Sequence, residues 1–356
     1  MDTGICLHFC IEKDILKAID GRSFSGAAEA GFDPGLLRKR GMDMANYAFG
    51  IDVGGTTIKC GLFSVDGELL ESWEINTRKE DGGKYVLPDI ADSIKAKMEE
   101  KSIGYDDLKG VGIGVPGPVL EDGVVDICVN LGWGVVHVKN ELSGLLNGIR
   151  VEVGNDANVA ALGEYWKGGG KGYRNMVMVT LGTGVGGGVI LNGKMIHGSH
   201  GAAGEIGHMQ VEKNEEAACN CGKHGCLEQY ASASGIVRMV RKGMADPNVK
   251  TSIVDTPDLN AKMIFDAAKE GDEFALEQVD AMGEKLGTAL ASIAEVVDPD
   301  AFVIGGGVSR AGLILINAVT KYYMPAAFHA CRSADFKLAE LGNDAGMYGA
   351  VKMVLD

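Results

Sequence analysis

The sequence predicts an α/β protein built from two related halves that face each other across a cleft. Residues 47–70 read as an apolar strand, a Gly/Thr loop, a second strand, an Asp-Gly turn and a third strand. Residues 176–196 repeat the order of strand, Gly/Thr loop, strand and Asn-Gly turn. The chain has 356 residues, of which 46% are hydrophobic, and this is enough for two separate cores. Two such units in one chain indicate an internal duplication.

The predicted domain boundaries follow these two units. Residues 1–43 lack the pattern and are interpreted as an N-terminal appendage, either disordered or spurious. A smaller α/β domain is predicted from residues 44–157 together with 340–356, and a larger α/β domain from residues 158–339. The appendage has neither a basic arm nor a membrane anchor. A chain that begins at Met44 is therefore expected to keep the solubility, kcat, KM and melting temperature of the full-length protein.

Helices are predicted where apolar residues recur with helical spacing. The predicted helical segments are residues 84–102, 228–243, 260–269, 273–297 and 344–355. Asp298 and Pro299 end the longest of them, because the residue before a proline disfavours helical geometry. The stretch I-R-V-E-V-G-N-D-A-N begins as a strand and ends at a helix start. Asn155 or Asp156 is thereby placed at a helix N-terminus, at the mouth of a strand.

The net charge of −15 argues against a nucleic-acid partner, since binding to a phosphate backbone rests on clustered Lys and Arg. No apolar run reaches the roughly 18 residues of a membrane-spanning helix, and the N-terminus lacks the features of a secretory signal. Most cysteines outside one cluster are scattered, which is typical of a reducing compartment. A cytoplasmic enzyme with neither a nucleic-acid nor a membrane partner is therefore predicted.

One loop combines cysteines, histidine and glycine at the spacing of a metal site. The predicted ligands are His208, Cys219, Cys221 and Cys226. Three thiolates and one imidazole form a closed tetrahedral zinc site, which has no open position for water and is therefore structural. Such a metal would stiffen the loop that presents Glu205 and Glu228. The alternative is that these are ordinary buried or free cysteines, although three within eight residues is a dense cluster.

Three glycine-rich loops follow predicted strands. They comprise Gly54, Gly55, Thr56 and Thr57; Gly182, Thr183 and Gly184; and Gly305, Gly306 and Gly307. Without a Cβ, the backbone N–H groups of such loops can approach phosphate oxygens. One loop alone could be a tight turn, but three together predict a nucleotide site. The second loop also matches G-x-G-x-x-G, but a strand follows it where the dinucleotide fingerprint requires a helix.

Six motifs in fixed order carry a family resemblance. They are D-V-G-G-T-T-I-K, G-V-P-G-P-V, G-N-D-A-N, L-G-T-G-V-G-G-G, G-E-I-G-H and C-x-C-G-x-x-G-C-L-E. Over about residues 46–356 the chain resembles the ROK family of sugar kinases and repressors, and within it most of all the bacterial glucokinases. The resemblance implies a duplicated actin/hexokinase-type (ribonuclease H-like) fold with two domains around a cleft. It implies ATP-dependent phosphorylation of glucose at the 6-hydroxyl, by a homodimer or homotetramer.

The resemblance also implies roles for individual residues. Asp156 corresponds to the general base that accepts the proton of the attacking hydroxyl, where the alternative is a helix N-cap. Asp52 would hold Mg²⁺. The implied sugar-binding residues are Asn130, Asn155, Glu205, His208 and Glu228, with the loop at Gly117 close by. His208 could place one ring nitrogen on zinc and the other on a sugar hydroxyl, and Trp133 could stack on the sugar or belong to the core.

Two rival functions remain at the level of the sequence. A sugar-responsive ROK-type transcriptional repressor would carry a longer winged helix-turn-helix before the kinase-like part, and many such proteins lose motif residues. Here G-N-D-A-N is intact, the segment before the motifs is short and there is no basic face. The second rival is a kinase for another sugar, such as N-acetylmannosamine, N-acetylglucosamine, fructose or allose. A panel of sugars in an ADP-release assay would separate these.

Overall fold

The computed structural model describes residues 45–120 and 122–356. The predicted appendage, residues 1–43, and the proposed start at Met44 lie outside the described residues. None of the described helices combines the length and the apolarity needed to cross a membrane.

The first sheet has five strands in the order β3-β2-β1-β4-β5. Its strands are β1 Tyr47–Val53, β2 Thr57–Ser64, β3 Leu69–Asn76, β4 Leu108–Val115 and β5 Val151–Asn155. The first three form an antiparallel meander, while β4 pairs parallel to β1 and β5 parallel to β4. The hairpin that the sequence predicts around the Asp-Gly turn thus lies at one edge of this sheet, and the buried parallel strands lie at the other edge.

The second sheet repeats this arrangement in the order β10-β9-β6-β7-β8. Its strands are β6 Met176–Leu181, β7 Val185–Leu191, β8 Lys194–Met195, β9 Ala301–Gly305 and β10 Asp335–Leu338. β6, β7 and β8 form the antiparallel meander, and β9 and β10 are the parallel strands. Strand for strand, the two sheets therefore have one topology, and the predicted duplication of an α/β unit is confirmed.

Helices connect and cover the sheets. They are α1 Glu80–Gly83, α2 Val86–Lys101, α3 Val138–Leu145, α4 Asp156–Lys167, α5 Glu228–Ala231, α6 Ala233–Met244, α7 Ala261–Lys269, α8 Glu273–Val297, α9 Leu313–Ala326 and α10 Ala345–Leu355. Short 3₁₀ turns occupy Tyr105–Asp107, Val129–Leu131, Ile206–His208, Gly307–Ala311, His329–Ser333 and Gly342–Asp344. The prediction of one helix over residues 228–243 was wrong. Ser232 is extended and its hydroxyl accepts the N–H of Gly235, so a new helix is capped there.

α4 and α10 cross at close range between the two sheets. A Cβ at Gly163 would lie 2.1 Å from the carbonyl oxygen of Ala345, and one at Gly349 would lie 1.7 Å from that of Val159. Only glycine permits this approach of two helix backbones. α10 packs on β1 and β4 of the first sheet, and α4 packs on β7 of the second. The crossing thus ties the two sheets together.

Candidate active site

A cleft of about 780 Å³ is lined by residues of both sheets. The predicted site residues that line it are Asp52, Gly117, Asn130, Asn155, Asp156, Gly182, Thr183, Gly184, Glu205, His208, Glu228 and Gly306. The predicted nucleotide-loop residues that are absent from the described lining are Gly54, Gly55, Thr56, Thr57, Gly305 and Gly307. Residues from six sequence motifs thus meet in one place, which the sequence order alone does not reveal.

Asp156 is the first residue of α4, directly after β5. The helix cap is its neighbour Asn155, whose side-chain oxygen accepts the N–H groups of Ala157 at 3.1 Å and Asn158 at 3.2 Å. The Asp156 carboxylate accepts the Ala157 N–H at 2.8 Å. Burial raises the pKa of Asp156, and the charge of Glu205 raises it further, while the Ala157 N–H lowers it. A carboxylate with a raised pKa that is free of the capping role is available as a proton acceptor.

Asn155 also reaches to the Gly117 loop. Its amide nitrogen donates to the carbonyl oxygen of Gly117 at 3.0 Å, and Gly117 has a positive φ of 95° that favours glycine. Since the side-chain oxygen of Asn155 is occupied by the helix cap, the second N–H of its amide is the group left for a ligand. Asn155 therefore positions both the start of α4 and this loop, and its contact with sugar stays a prediction.

Asp52 and Lys59 are register partners on β1 and β2, and both line the cleft. Burial raises the pKa of Asp52 to about 6; the Asp156 carboxylate adds to this and the Lys59 ammonium opposes it. Lys59 donates to the carbonyl oxygen of Asn343 at 3.0 Å and lies 3.6 Å from Asp344. Asp52 fits a Mg²⁺ ligand, because a half-buried carboxylate whose charge is unfavourable gains most from a cation.

Lys59 is a site residue that sequence reasoning missed. It is the one Lys or Arg among the described residues that line the cleft. The signal was present, since Lys59 closes the motif D-V-G-G-T-T-I-K and lies on the strand after the glycine loop. That its side chain shares a sheet face with Asp52 follows only from the register of the β1–β2 hairpin.

The predicted zinc ligands converge. One side-chain atom from each of His208, Cys219, Cys221 and Cys226 lies within 4.8 Å of the others. The Cys221 and Cys226 sulfurs are 3.7 Å apart, and the Cys219 sulfur is 3.8 Å from His208 Nδ1. A tetrahedron with zinc–sulfur bonds of about 2.3 Å has ligand-to-ligand edges of about 3.8 Å. The donor set and its spacing therefore fit a closed zinc site.

The same loop orients the groups that reach the cleft. His208 turns Nδ1 to the cysteines, while Nε2 lies 3.9 Å from a Glu205 oxygen. The Glu228 carboxylate accepts the N–H of Val185 at 3.1 Å. A Cβ at Gly184 would lie 2.1 Å from that carboxylate, so Gly184 is required by Glu228 as well as by any phosphate. The loop that carries the predicted zinc ligands and the loop of Gly182, Thr183 and Gly184 are therefore packed against each other through Glu228.

The three predicted glycine loops differ. A Cβ added at Gly182 would meet nothing within 4 Å, so the backbone there is open to a ligand. Gly306 has φ +82° and a Cβ there would lie 2.5 Å from the carbonyl oxygen of Leu181, so its glycine serves the close approach of two strands' ends. The first loop closes on itself, because the N–H of Gly54 donates to Thr57 at 3.0 Å.

Trp133 does not reach the cleft. It is buried in the core of the first half, and its indole N–H donates to the carbonyl oxygen of Gly83 at 3.1 Å. Of the two interpretations of this residue, sugar stacking is therefore wrong and the core is correct.

Fold and cleft together define the class of this protein, a two-lobed α/β protein of the actin/hexokinase type. The ROK family model matches residues 48–356, and the chain belongs to the ROK family. A glucokinase from Halalkalibacterium halodurans is 43% identical over 84% of this chain and 92% of that protein. A glucokinase from Thermotoga maritima is 38% identical over 86% of this chain and 96% of that protein.

A solved structure is similar as well. The crystal structure of a ROK family glucokinase from Streptomyces griseus in complex with glucose and AMPPNP matches with a TM-score of 0.68 and 32% identity. The match covers 86% of this chain and 98% of that one. These proteins are what the chain is similar to over nearly its whole described length.

Proposed function

We propose that this protein is an ATP-dependent glucokinase, which transfers the γ-phosphoryl group of ATP to the 6-hydroxyl of glucose and releases ADP. The observation that carries the proposal is Asp156, a half-buried carboxylate with a raised pKa at the start of α4, inside a cleft rimmed by carboxylate and amide groups. Relatives named glucokinase at 43% and 38% identity support glucose as the substrate.

The sugar is expected on the side of the cleft that carries Glu205, His208 and Glu228. Sugar hydroxyls donate and accept hydrogen bonds, so carboxylates, an imidazole and amides are suited to bind them. Asn130 and Asn155 add amides from the first half. Asp156 accepts the proton of the 6-hydroxyl as its oxygen attacks the γ-phosphorus and the bond to the β-phosphate breaks. The proton is held on Asp156 until it is lost to solvent.

The phosphates of ATP are expected between the two sheets. Lys59 and the open backbone at Gly182 line this part of the cleft. Mg²⁺, when bound near Asp52, neutralises charge on the phosphates. Lys59 must leave the Asn343 carbonyl to contact a phosphate, and its hydrogen bond at 3.0 Å is exposed enough to exchange. Asp52 would hold the cation beside its register partner Lys59.

The nucleoside is expected in a neighbouring pocket of about 460 Å³. Thr183 lines both this pocket and the cleft, so a nucleotide with its phosphates on the glycine loop can extend into it. Ser234, Arg238 and Asn260 offer polar groups, and the Nε of Arg238 is buried without a partner among the described residues. Such a set of donors beside apolar side chains suits a purine base and ribose.

Zinc is proposed as a structural metal held by the cluster of one histidine and three cysteines. Because thiolates such as these persist in a reducing compartment, we place the enzyme in the cytoplasm.

We also propose a homodimer or homotetramer. A subunit contact would cover exposed apolar side chains such as Val296 and Leu313, which are 86% and 73% exposed. Light scattering during size exclusion measures the subunit number.

An ADP-release assay with a panel of sugars tests the proposed function. Glucose is expected to give a kcat/KM at least about tenfold above fructose, allose, N-acetylmannosamine and N-acetylglucosamine. A higher kcat/KM for another sugar would show that this sugar, and not glucose, is the substrate. Absence of sugar-dependent ADP release with every sugar, for a protein that still binds sugar, would instead support the repressor function.

A further inference from the structure

A third pocket lies at the far end of the two helices that cross between the sheets. The distal pocket has a volume of about 430 Å³. It is lined by Tyr165, Trp166, Lys171, Gly172, Tyr173, Arg174, Asn192, Gly193 and Lys352. None of these described residues lines the catalytic cleft. The first residues of α4 and α10 line the cleft and later residues of both helices line the distal pocket, about 15 Å away along α4.

The charged residues that line the distal pocket are opposite in sign to the net charge of the protein. The chain has 49 acidic and 34 basic residues, yet the lining holds Lys171, Arg174 and Lys352 and no described carboxylate. Lys352 is paired with Asp356 at the end of α10. Lys171 and Arg174 form no ion pair with any carboxylate in the described part of the chain. Two cations without counter-ions in one concavity favour an anionic ligand.

The backbone around these cations is fixed. The N–H of Arg174 donates to the Asp300 carboxylate at 3.0 Å, and its carbonyl oxygen accepts the N–H of Gly193 at 2.9 Å. The hydroxyl of Tyr173 donates to Asp335 at 2.6 Å. Among the described residues, the guanidinium of Arg174 and the ammonium of Lys171 have no partner. Because the backbone is fixed, an anion that binds has to order only these two exposed side chains.

The remaining lining residues suit a ring that carries hydroxyls. Trp166 and Tyr165 supply aromatic surface, and the Lys352 ammonium lies 5.7 Å from the Trp166 ring centre. The exposed amide of Asn192 can both donate to and accept from hydroxyl groups. Planar guanidinium and ammonium groups bind phosphate oxygens. A volume of 430 Å³ accommodates a ligand of small-metabolite size.

We propose that the distal pocket binds a phosphorylated sugar, with the phosphate on Lys171 and Arg174 and the sugar ring against Trp166. The ligand would contact both helices that link the two sheets, α4 through Trp166 and α10 through Lys352. It would do so at the ends that point away from the catalytic cleft. This site is separate from the proposed kinase reaction and does not depend on it.

Isothermal titration of the full-length protein with glucose 6-phosphate, in the presence of saturating glucose that occupies the catalytic cleft, tests the site. A Lys171→Ser/Arg174→Ser double variant is expected to weaken binding at the distal pocket at least about tenfold, since each charge-assisted contact contributes this much. Lys194→Ser is the matched control, because Lys194 is exposed on β8, beside the pocket but outside its lining, and it is expected to bind as wild type. Thermal melts of all three proteins show whether the fold is kept.

Three ligands separate the sources of the signal. Inorganic phosphate is expected to bind more weakly than glucose 6-phosphate, and its binding is expected to depend on the same two cations. Glucose is expected to bind with equal affinity to wild type and double variant, since it uses the cleft alone. The fluorescence of Trp166, one of three tryptophans, is expected to change with glucose 6-phosphate, and Trp166→Phe is expected to remove that change. Equal affinity of wild type and double variant for glucose 6-phosphate would overturn the proposal, whether or not the kinase activity is found.

Discussion

The two halves of the molecule carry the same hairpin but different chemistry at one equivalent position. In the first sheet, Asp52 on β1 pairs in register with Lys59 on β2. In the second sheet, the corresponding partners are Thr180 on β6 and Gly186 on β7. All four residues line the cleft. One half therefore presents an anion and a cation where the other half presents a hydroxyl and no side chain at all.

This difference indicates that the two duplicated halves have different roles in the cleft. A Cβ at Gly186 would lie 2.6 Å from the hydroxyl oxygen of Thr180 and 3.2 Å from the Cβ of Ala157, so the second hairpin leaves little room there for a side chain. Its glycine loop instead lies against Glu228, which the proposed zinc loop holds. We interpret the first half as the source of charge for metal and phosphate, and the second as the source of the carboxylate and imidazole contacts to sugar and of open backbone.

The largest effect is expected at the base, which stands at the junction of the halves. Asp156→Asn should lower kcat by at least about a thousandfold, because loss of a general base costs up to about 10⁴-fold, while the affinity for glucose is kept. Initial rates and glucose titration measure the two quantities. The raised pKa of Asp156 means that the base form is lost as pH falls, so wild-type kcat/KM should decline on the acid side. Near-normal turnover of Asp156→Asn would refute its assignment as base.

The next effect concerns the stability cost of the charge at Asp52. Burial raises the pKa of this acid from its ordinary 3.8 to about 6. In the folded protein Asp52 therefore holds its proton more tightly than in the unfolded chain. This tighter binding stabilises the fold fully below pH 3.8, and the stabilisation is lost as pH rises through about 6. At pH 7.5 and without metal, Asp52→Asn should raise the free energy of unfolding by about 2–3 kcal/mol, and near pH 4 by almost nothing.

Denaturant unfolding in the presence of a chelator measures this difference at both pH values. Asp344→Asn is the control, because its carboxylate is near Lys59 but half exposed, and it should change the unfolding free energy little. Asp52→Asn should at the same time lose activity. A variant that is less stable than wild type at pH 7.5 would contradict the account of Asp52 as a charge held for a cation.

Replacement of the cation tests the comparison of the hairpins directly. Lys59→Met should lower kcat/KM for ATP by about a hundredfold, because the variant lacks the positive charge that stabilises the negative charge developing on the transferred phosphate. Thr180→Val, at the equivalent position of Asp52 in the second half, should lower it less than about fivefold, since it removes only a neutral hydrogen-bonding group. Similar losses in the two variants would show that the halves do not differ as described.

The zinc loop should give the smallest effect on the reaction itself. Elemental analysis is expected to find about one zinc per chain. Cys221→Ser should weaken glucose binding about tenfold and lower the melting temperature, because loss of metal support commonly costs about 10- to 100-fold. Cys331→Ser, which alters a buried cysteine outside the loop, should leave the zinc content unchanged. Full glucose affinity in a protein without zinc would contradict the structural role.

The sequence predicts the duplication and the ends of most helices, because these depend on local periodicity and turn residues. Helix α8 over Glu273–Val297 and helix α7 over Ala261–Lys269 lie where apolar spacing predicts them. The break at Ser232 was missed, since a serine inside an amphipathic run gives only a weak cap signal. Local rules thus predict elements well and interruptions poorly.

The composition of the site is less predictable, because it depends on which loops meet. Lys59 was missed although it ends a recognised motif, since its direction depends on the register of a hairpin. Gly54 was expected in the cleft, but its N–H is used within its own loop. The purpose of Gly184 also changes with the fold, because the carboxylate that excludes a Cβ there comes from Glu228, more than forty residues later.

Phosphorus NMR of a reaction that contains glucose, ATP and Mg²⁺ tests the central claim most directly. The account predicts one new phosphate monoester whose phosphorus couples to the two protons on carbon 6 of glucose, with ADP formed in equal amount. It predicts that this signal is absent within the same time for Asp156→Asn. A phosphate ester at another carbon, or ADP without any sugar ester, would contradict the proposed glucokinase reaction.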